Sequence, residues 1–332
     1  MAGAFTAVDL SKLPFPAAVE ELDFESILAA LIADLQERDA SYSALVESDP
    51  AYKILEVCAY REMLVRQRNN EAIKAVTLAC AAGSDLDQIA ARYNVERLTI
   101  VPAAPNAIPP TPAVMESDTE LRRRVQLSFE GFSTAGPEGA YIFHALGADA
   151  QVLDVSVHAP TFASVEVSPE AKALLPEGAM VLQVVDDAGL ADPMPGDVAI
   201  AVQSRDGAGE AQPELVATVA ATLSSETVRP LTDHPRVRSA TVAEYSVEAV
   251  LTFFPGPDRE VVMQTALVAL ESFVERQHRL GRDVTLSGLY AALHQEGVQN
   301  VELIAPAAGI VVPWDTVAYC TGIDLTDGGT DE

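Results

Sequence analysis

Hydrophobic positions recur every three or four residues through the first third of the chain. Phe24, Ile27, Leu28, Leu31, Ile32 and Leu35 fall on one stripe of residues 23–38, with carboxylates early in the run, which predicts an amphipathic helix. A second helix is expected from Pro50, where proline is tolerated in the first turn. At 3.6 residues per turn it would run about eight turns and stop at Gly83, a natural C-terminal cap. Ser84-Asp85-Leu86-Asp87 reads as a capping box with Asp in the reciprocal position, opening a short helix through Tyr93.

The pattern then changes. Residues 101–112, VPAAPNAIPPTP, hold five prolines and predict a stiff, extended linker. Ser117-Asp118-Thr119-Glu120 is a second capping-box pattern ahead of LRRRVQLSFE, and Gly136-Pro137-Glu138 opens a helix to about Leu146. Val-rich runs at 151–158, 163–167, 180–185 and 198–204 predict strands, and 212–223 a helix. Residues 237–254 read as one long strand or as a hairpin turning near Glu244. A helix from Pro257-Asp258 to Gly281 and another over 285–295, ending at Gly297, lead to strands at 298–304 and 316–323. The tail TDGGTDE reads as polar and frayed.

Helices first, then short strands and helices without regular β-α-β alternation, indicate an α+β fold. It has a helical N-terminal third followed by two or more small mixed α/β modules. The expected divisions are a helical region over 1–100, a proline-rich linker over 101–116, a central α+β domain over 117–235, a C-terminal α+β domain over 236–325 and a tail over 326–332.

Charge narrows the roles open to such a chain. Its 49 acidic and 21 basic residues give a net charge of −28, which repels phosphate backbones and anionic lipid. Neither nucleic acid nor membrane is therefore an expected partner. Cys58, Cys80 and Cys320 are far apart, each in an apolar run, and read as reduced, buried small hydrophobes of a protein folded in a cytosol. The first residues lack a basic segment followed by an apolar one, so no secretory signal is expected. No apolar stretch approaches the roughly 18 residues of a spanning helix.

Catalytic constellations are missing. His144, His158, His234, His278 and His294 show no i, i+4 pairing and no H-E-x-x-H, and no G-x-S-x-G marks a serine nucleophile. Gly207-Ala208-Gly209 lacks the third glycine of a dinucleotide loop and reads as a strand-to-helix turn. Asp186, Asp187, Asp197 and Asp206 lie on separate loops without calcium-loop spacing and read as solvated loop acids. No catalytic residue, metal site or cofactor is expected. Arg122-Arg123-Arg124 fan around a helix rather than forming one phosphate-binding face, so their expected job is pairing with acidic groups of this chain or of a partner.

The helix ending at Gly83 stands apart. It is apolar at both ends, yet its middle carries Arg61, Glu62, Arg66, Gln67, Arg68, Asn69, Asn70 and Glu71. The plain reading is a charged outer face of an amphipathic helix. The alternative is a subunit contact, for which arginine is favoured by its bidentate geometry and weaker hydration.

The block AYREMLVRQRNNEAIKAVTLACAAGSDLDQIAARYNVERL resembles the baseplate J-like family of contractile-tailed phages and R-type tailocins, in particular its P2-like members. The resemblance continues through RRRVQLSFEGFSTAGPEGAYIFHALGAD, QSRDGAG, VRPLTDHPRVRSATVAEYSVEAVLTFFPGPD and QHRLGRDVTLSGLYAALHQEGVQNVELIAPAAGIVV, so it covers nearly the whole chain in order. The blocks TAGPEGAYIFHAL and QHRLGRD…LYAALH carry most of its specificity. The chain departs from the family near 161–195, where P2-like members pass through a shorter connection.

The resemblance implies a structural wedge subunit of a virion tail baseplate, made in the cytoplasm of a bacterial host. Two copies would join one copy of a smaller wedge protein of the tail protein I family through a bundle of N-terminal helices. The later domains would meet the sheath-initiator wedge protein and neighbouring wedges in a six-fold ring that holds and releases the sheath. On that basis Arg61, Arg66, Arg68, Asn69 and Asn70 become candidates for subunit contact. Two other readings compete: a baseplate-associated hydrolase acting on cell wall, which lacks a visible acid–nucleophile pair, and a receptor-binding tail protein, which the helical first third opposes.

Overall fold

The structure, a computed structural model, describes residues 8–132, 136–256 and 258–331. It divides into two compact units, one drawing on 8–98 with 115–126 and the other on 99–114 with residues from 127 onward.

In the first unit, α1 (Phe24–Arg38) is capped by Asp23, whose carboxylate accepts the N–H groups of Glu25 and Ser26. The predicted stripe of α1 packs on α2 (Pro50–Ala75): Ile27, Leu28 and Ala59 are buried, with Leu31, Ile32, Leu55 and Met63 around them. The second helix does not reach Gly83. The backbone N–H and the hydroxyl of Thr77 both donate to the Lys74 carbonyl, at 3.1 and 2.9 Å, closing a tight turn in place of the next helical bond.

Gly83 does take a left-handed φ of 53°, but as the first residue of α3 (Gly83–Ala91). The predicted Ser84–Asp87 capping box does not form, since the N-cap is Ala82 and no side chain of its own caps the helix. Asp118 supplies the cap instead, accepting the Gly83 N–H at 3.1 Å, while Asp87 turns to Arg97 at 2.7 Å.

The proline-rich stretch doubles back rather than extending. β1 (Thr99–Val101) and β2 (Val114–Met115) lie side by side, and Ala104 and Thr111 exchange both backbone hydrogen bonds, at 3.0 and 3.2 Å. Pro105, Pro109 and Pro110 occupy the loop between that pair, where no ladder N–H is required. The second capping box does form: Glu120 N–H donates to Ser117 Oγ at 3.3 Å and the Ser117 N–H to Glu120 Oε2 at 3.4 Å, opening α4 (Asp118–Gly131).

From residue 127 onward the described residues form two three-stranded sheets and a small hairpin. Residues 133–135, in the motif before α5 (Glu138–Ala148), and Pro257 lie outside the described residues. Then come β3 (Val152–His158), β4 (Thr161–Ser164), α6 (Pro169–Lys172), β5 (Leu182–Asp186), β6 (Asp197–Ser204), α7 (Pro213–Leu223) and β7 (His234–Ser239). The central sheet runs β3-β6-β7, antiparallel then parallel, so β6–α7–β7 is a β-α-β unit. Buried Ile200 and Val202 of β6 meet Tyr141 and Ala145 of α5 and Leu215 and Val219 of α7. Residues 161–186 form the antiparallel hairpin β4–β5, with the whole of β5 exposed.

The C-terminal sheet contains β8 (Thr241–Phe253), β9 (Val298–Ala305) and β10 (Thr316–Thr330), in the order β10-β8-β9. The run over 237–254 is neither one strand nor a hairpin at Glu244. It breaks at Ala240, whose N–H donates to Val202 of the central sheet at 2.8 Å, while Thr241 donates to Asp315 at 2.9 Å. One continuous stretch thus finishes one sheet and begins the next. Along β8, Tyr245, Val247, Ala249, Leu251 and Phe253 alternate inward against α8 (Arg259–Gln277) and α9 (Leu286–Leu293). Burying each large side chain contributes about 1.5–3 kcal/mol. The tail expected to fray is strand as far as Thr330, which pairs with Phe253. Mixed sheets with helices packed on them make the fold α+β.

Candidate subunit-contact site

The five candidate contact residues all lie on α2 but do not share a face. Arg61, Arg68 and Asn69 are exposed, Arg66 is half-buried and Asn70 is buried. Asn70 works within the chain: its Nδ2 donates to the Glu20 carbonyl at 2.8 Å and its Oδ1 accepts the Glu20 N–H at 2.9 Å. One turn earlier, Arg66 meets the carboxylates of Glu62 and Glu20, the latter at 3.1 Å. Those anions, Glu62 foremost, raise the guanidinium's pKa further.

The outer face of α2 is apolar as well as basic. Ile54, Val57 and Val65 are 64%, 63% and 57% exposed, and exposed Arg61 and Arg68 continue the same stripe together with Cys58, which is exposed rather than buried as expected, while Cys80 and Cys320 are only half-buried. Spacings of three and four residues along 54, 57, 61, 65 and 68 are those of a helix-packing seam. The sequence pattern marked these apolar residues without saying which were core; burial separates Ile54 and Val57 from Ala59. Such a seam suits an amphipathic helix carrying carboxylates opposite Arg61 and Arg68.

The basic run has an intrachain role. Arg122 donates from Nε to Leu78 O and from Nη2 to Ala81 O, both at 2.7 Å, so it holds carbonyls rather than acids. Arg124 pairs with Glu116 at 2.7 Å, their side chains only 10% and 1% exposed. Arg97 reaches Asp87, Asp118 and the Glu116 carbonyl, each at 2.7 Å. Together these guanidinium groups fasten 78–83 and 96–98 to the start of α4.

Several of the remaining acids make local contacts. Asp186 accepts the Ala188 N–H at 2.9 Å and meets His158 at 3.0 Å, which together hold its carboxyl below the usual carboxylate range. Asp187 accepts Gly189 N–H and Asp197 accepts Met194 N–H, as turn-forming aspartates do. Burial pushes the pKa of His144 down. Among the described residues no three His, Cys, Asp or Glu side chains are grouped to hold a metal, and no helix is long and apolar enough to cross a membrane.

The sequence blocks read as family-specific converge on joints. Gln203, from QSRDGAG, donates from Nε2 to the His278 carbonyl of QHRLGRD at 3.2 Å, and Leu280 N–H donates to Asp154 at 3.2 Å. Tyr141, from GAYIFHAL, donates to Asp233 of VRPLTDHP at 2.7 Å; with burial, that bond raises the phenol's pKa.

The helical unit thus carries an exposed apolar and basic stripe, and the modules that follow it in sequence are knitted by side chains gripping backbone. Comparison with known proteins gives the family. Residues 47–104 match the baseplate J-like N-terminal domain. Over 332 residues, 98% of this chain and 99% of the relative, the sequence is 46% identical to baseplate protein J of Escherichia phage P2. The chain belongs to the baseplate J family of phage baseplate proteins. The baseplate of the anti-feeding prophage contains a chain of 14% identity that aligns with a TM-score of 0.38, over 65% of this chain and 44% of that one; so distant a likeness adds nothing to the assignment.

Proposed function

We propose that this baseplate protein is a wedge subunit of a contractile tail or tail-like particle. In this reading two copies join one smaller wedge protein of the tail protein I family through N-terminal helices. The α+β modules meet the sheath-initiator wedge protein and adjacent wedges, closing a six-fold ring that holds the sheath extended and releases it. The chain performs no catalysis, is synthesised in the host cytoplasm and ends in the virion tail.

The observation that carries the reading is the uncovered seam of α2. Three valine and isoleucine side chains more than half exposed on one helical stripe call for a partner. Arg61 and Arg68 in the same stripe favour an acidic partner, and the chain's net charge of −28 disfavours an anionic lipid surface. Co-expression with the adjacent tail-gene products, followed by native mass measurement and electron microscopy, tests it. A two-to-one heterotrimer or a six-fold ring is expected; recovery of the chain as a lone monomer under those conditions would overturn it.

A further inference from the structure

Residues 8–22 form an N-terminal arm that is mostly exposed, and three side chains one turn apart on α2 grip it. Arg66 holds the Glu20 carboxylate at 3.1 Å. Asn70 makes both backbone hydrogen bonds of Glu20, at 2.8 and 2.9 Å, as a neighbouring strand would. The Lys74 ammonium sits 4.4 Å from the centre of the Phe15 ring. A fourth anchor, Gln126, donates to the Val8 carbonyl at 2.9 Å. The ladder at 66, 70 and 74 therefore holds a peptide with an aromatic residue five positions before a glutamate and a turn between them, closed by the Val19 N–H donating to the Pro16 carbonyl at 2.9 Å.

We infer that this ladder is a peptide-binding site whose occupant in the assembled particle is the arm of a second copy of the chain. The inference rests on the wedge reading, in which copies stand side by side. A second copy offers the same Arg66, Asn70 and Lys74, so exchanging arms replaces every contact with an identical one, and the swap has little enthalpic cost. The arm's own holdings are few: Leu13, Phe15 and Leu22 stay exposed in the free chain. Elements with so little buried area open locally at low free energy.

Reach sets the condition. Glu20 and the capping Asp23 of α1 are three positions apart, a span of about 10 Å when extended. Helices packed side by side lie about 8–10 Å apart. An arm can therefore cross only between α2 helices that are direct neighbours, so exchange reports their contact.

The test co-expresses two full-length, differently tagged copies with the adjacent tail-gene products. The first copy carries a photoreactive p-benzoylphenylalanine in place of Phe15. After purification through both tags and illumination, a covalent adduct between the copies is expected, mapping to the second copy's α2 near Lys74. Asn70→Ala in the second copy should cut that adduct at least fivefold, whereas Asn70→Ala in the first should leave it intact. A two-copy complex whose adduct stays within the first chain would refute arm exchange and leave the wedge reading standing. Failure to recover any complex of two copies would refute both.

Discussion

Gln203 and His278 are 75 positions apart, yet the Gln203 amide donates to the His278 carbonyl at 3.2 Å. The Gln203 side chain is fully buried, and it ties the last turn of α8 to the end of β6. Gly209 makes room for it. With φ at 110°, a Cβ there would lie 3.2 Å from both Gln203 Cγ and Val317 Cγ1. Gly209→Ala should therefore destabilise the protein by about 1–3 kcal/mol, from a backbone region that side chains avoid. A lowered midpoint in urea with an unchanged slope is the expected result; an unchanged midpoint would show that the turn yields freely.

The Glu116–Arg124 pair predicts a larger loss. Glu116→Gln would leave the Arg124 guanidinium buried opposite a neutral group, a defect of about 3–5 kcal/mol when a buried pair loses one member. Replacing both with methionine should recover part of that, because no uncompensated charge remains, although the Leu98 N–H would still lose the Glu116 carboxylate it donates to at 3.1 Å. Calorimetry of the single and double variants checks the order. Equal losses in both would point to packing rather than charge.

Acid should loosen the same unit. The ion-paired hydrogen bond from Arg97, and then the Gly83 N–H, hold the Asp118 carboxyl below the usual carboxylate range. A depressed folded value means that the stabilisation is present above the unfolded value of about 3.9 and is lost as pH falls through the folded one. Helical circular dichroism followed from about pH 6 down to pH 2 should show wild type losing stability across that window. Asp118→Asn should start lower at neutral pH and fall less. Parallel pH profiles for the two proteins would remove Asp118 from the account.

Where the sequence was legible, the signal was local and periodic. The stripe of α1, the Ser117–Glu120 box and the alternation along β8 each involve residues within a few positions of one another, and each formed. The failures share a different cause. Thr77 ends α2 by gripping a carbonyl, and Asp118 caps α3 from 35 residues away, neither of which a spacing rule can see. Proline content marked 101–112 as non-helical, but not that Ala104 and Thr111 would pair across it. For the contact site, composition drew attention to the middle of α2. It did not separate Asn70, spent on Glu20, from Arg61 and Arg68 on the open face, because that division depends on an arm 50 residues earlier in the chain.

Truncation follows the compact unit rather than the helical count. A fragment ending at residue 98 lacks Glu116, Asp118, Arg122 and Arg124, which hold 78–83 and 96–98 in place. Its instability would therefore have an intrachain cause and say nothing of a bundle. A fragment ending at residue 126 keeps those groups and should melt at least 10 °C higher, roughly what a loss of 3–5 kcal/mol means for a unit of about 100 residues. Equal melting points would show that 115–126 contributes nothing to the N-terminal unit.

Charge reversal on α2 separates assembly from folding. Arg66 is bound to Glu20 and Glu62, so Arg66→Glu would repel its own chain and confuse the two. Arg61 and Arg68 are exposed on the open seam, and reversing them should leave the melting temperature of the isolated chain within a degree or two, since surface substitutions usually fall within about 0.5 kcal/mol. The double variant Arg61→Glu/Arg68→Glu should nevertheless weaken co-purification of the wedge partners at least tenfold, because two like charges would face the acidic helix proposed to cover this stripe. Raising salt should weaken the wild-type complex and partly rescue the variant, as screening acts on attraction and repulsion alike. If the variant assembled as wild type does, the seam would be an ordinary solvent face and the partner contact would have to lie elsewhere on the chain.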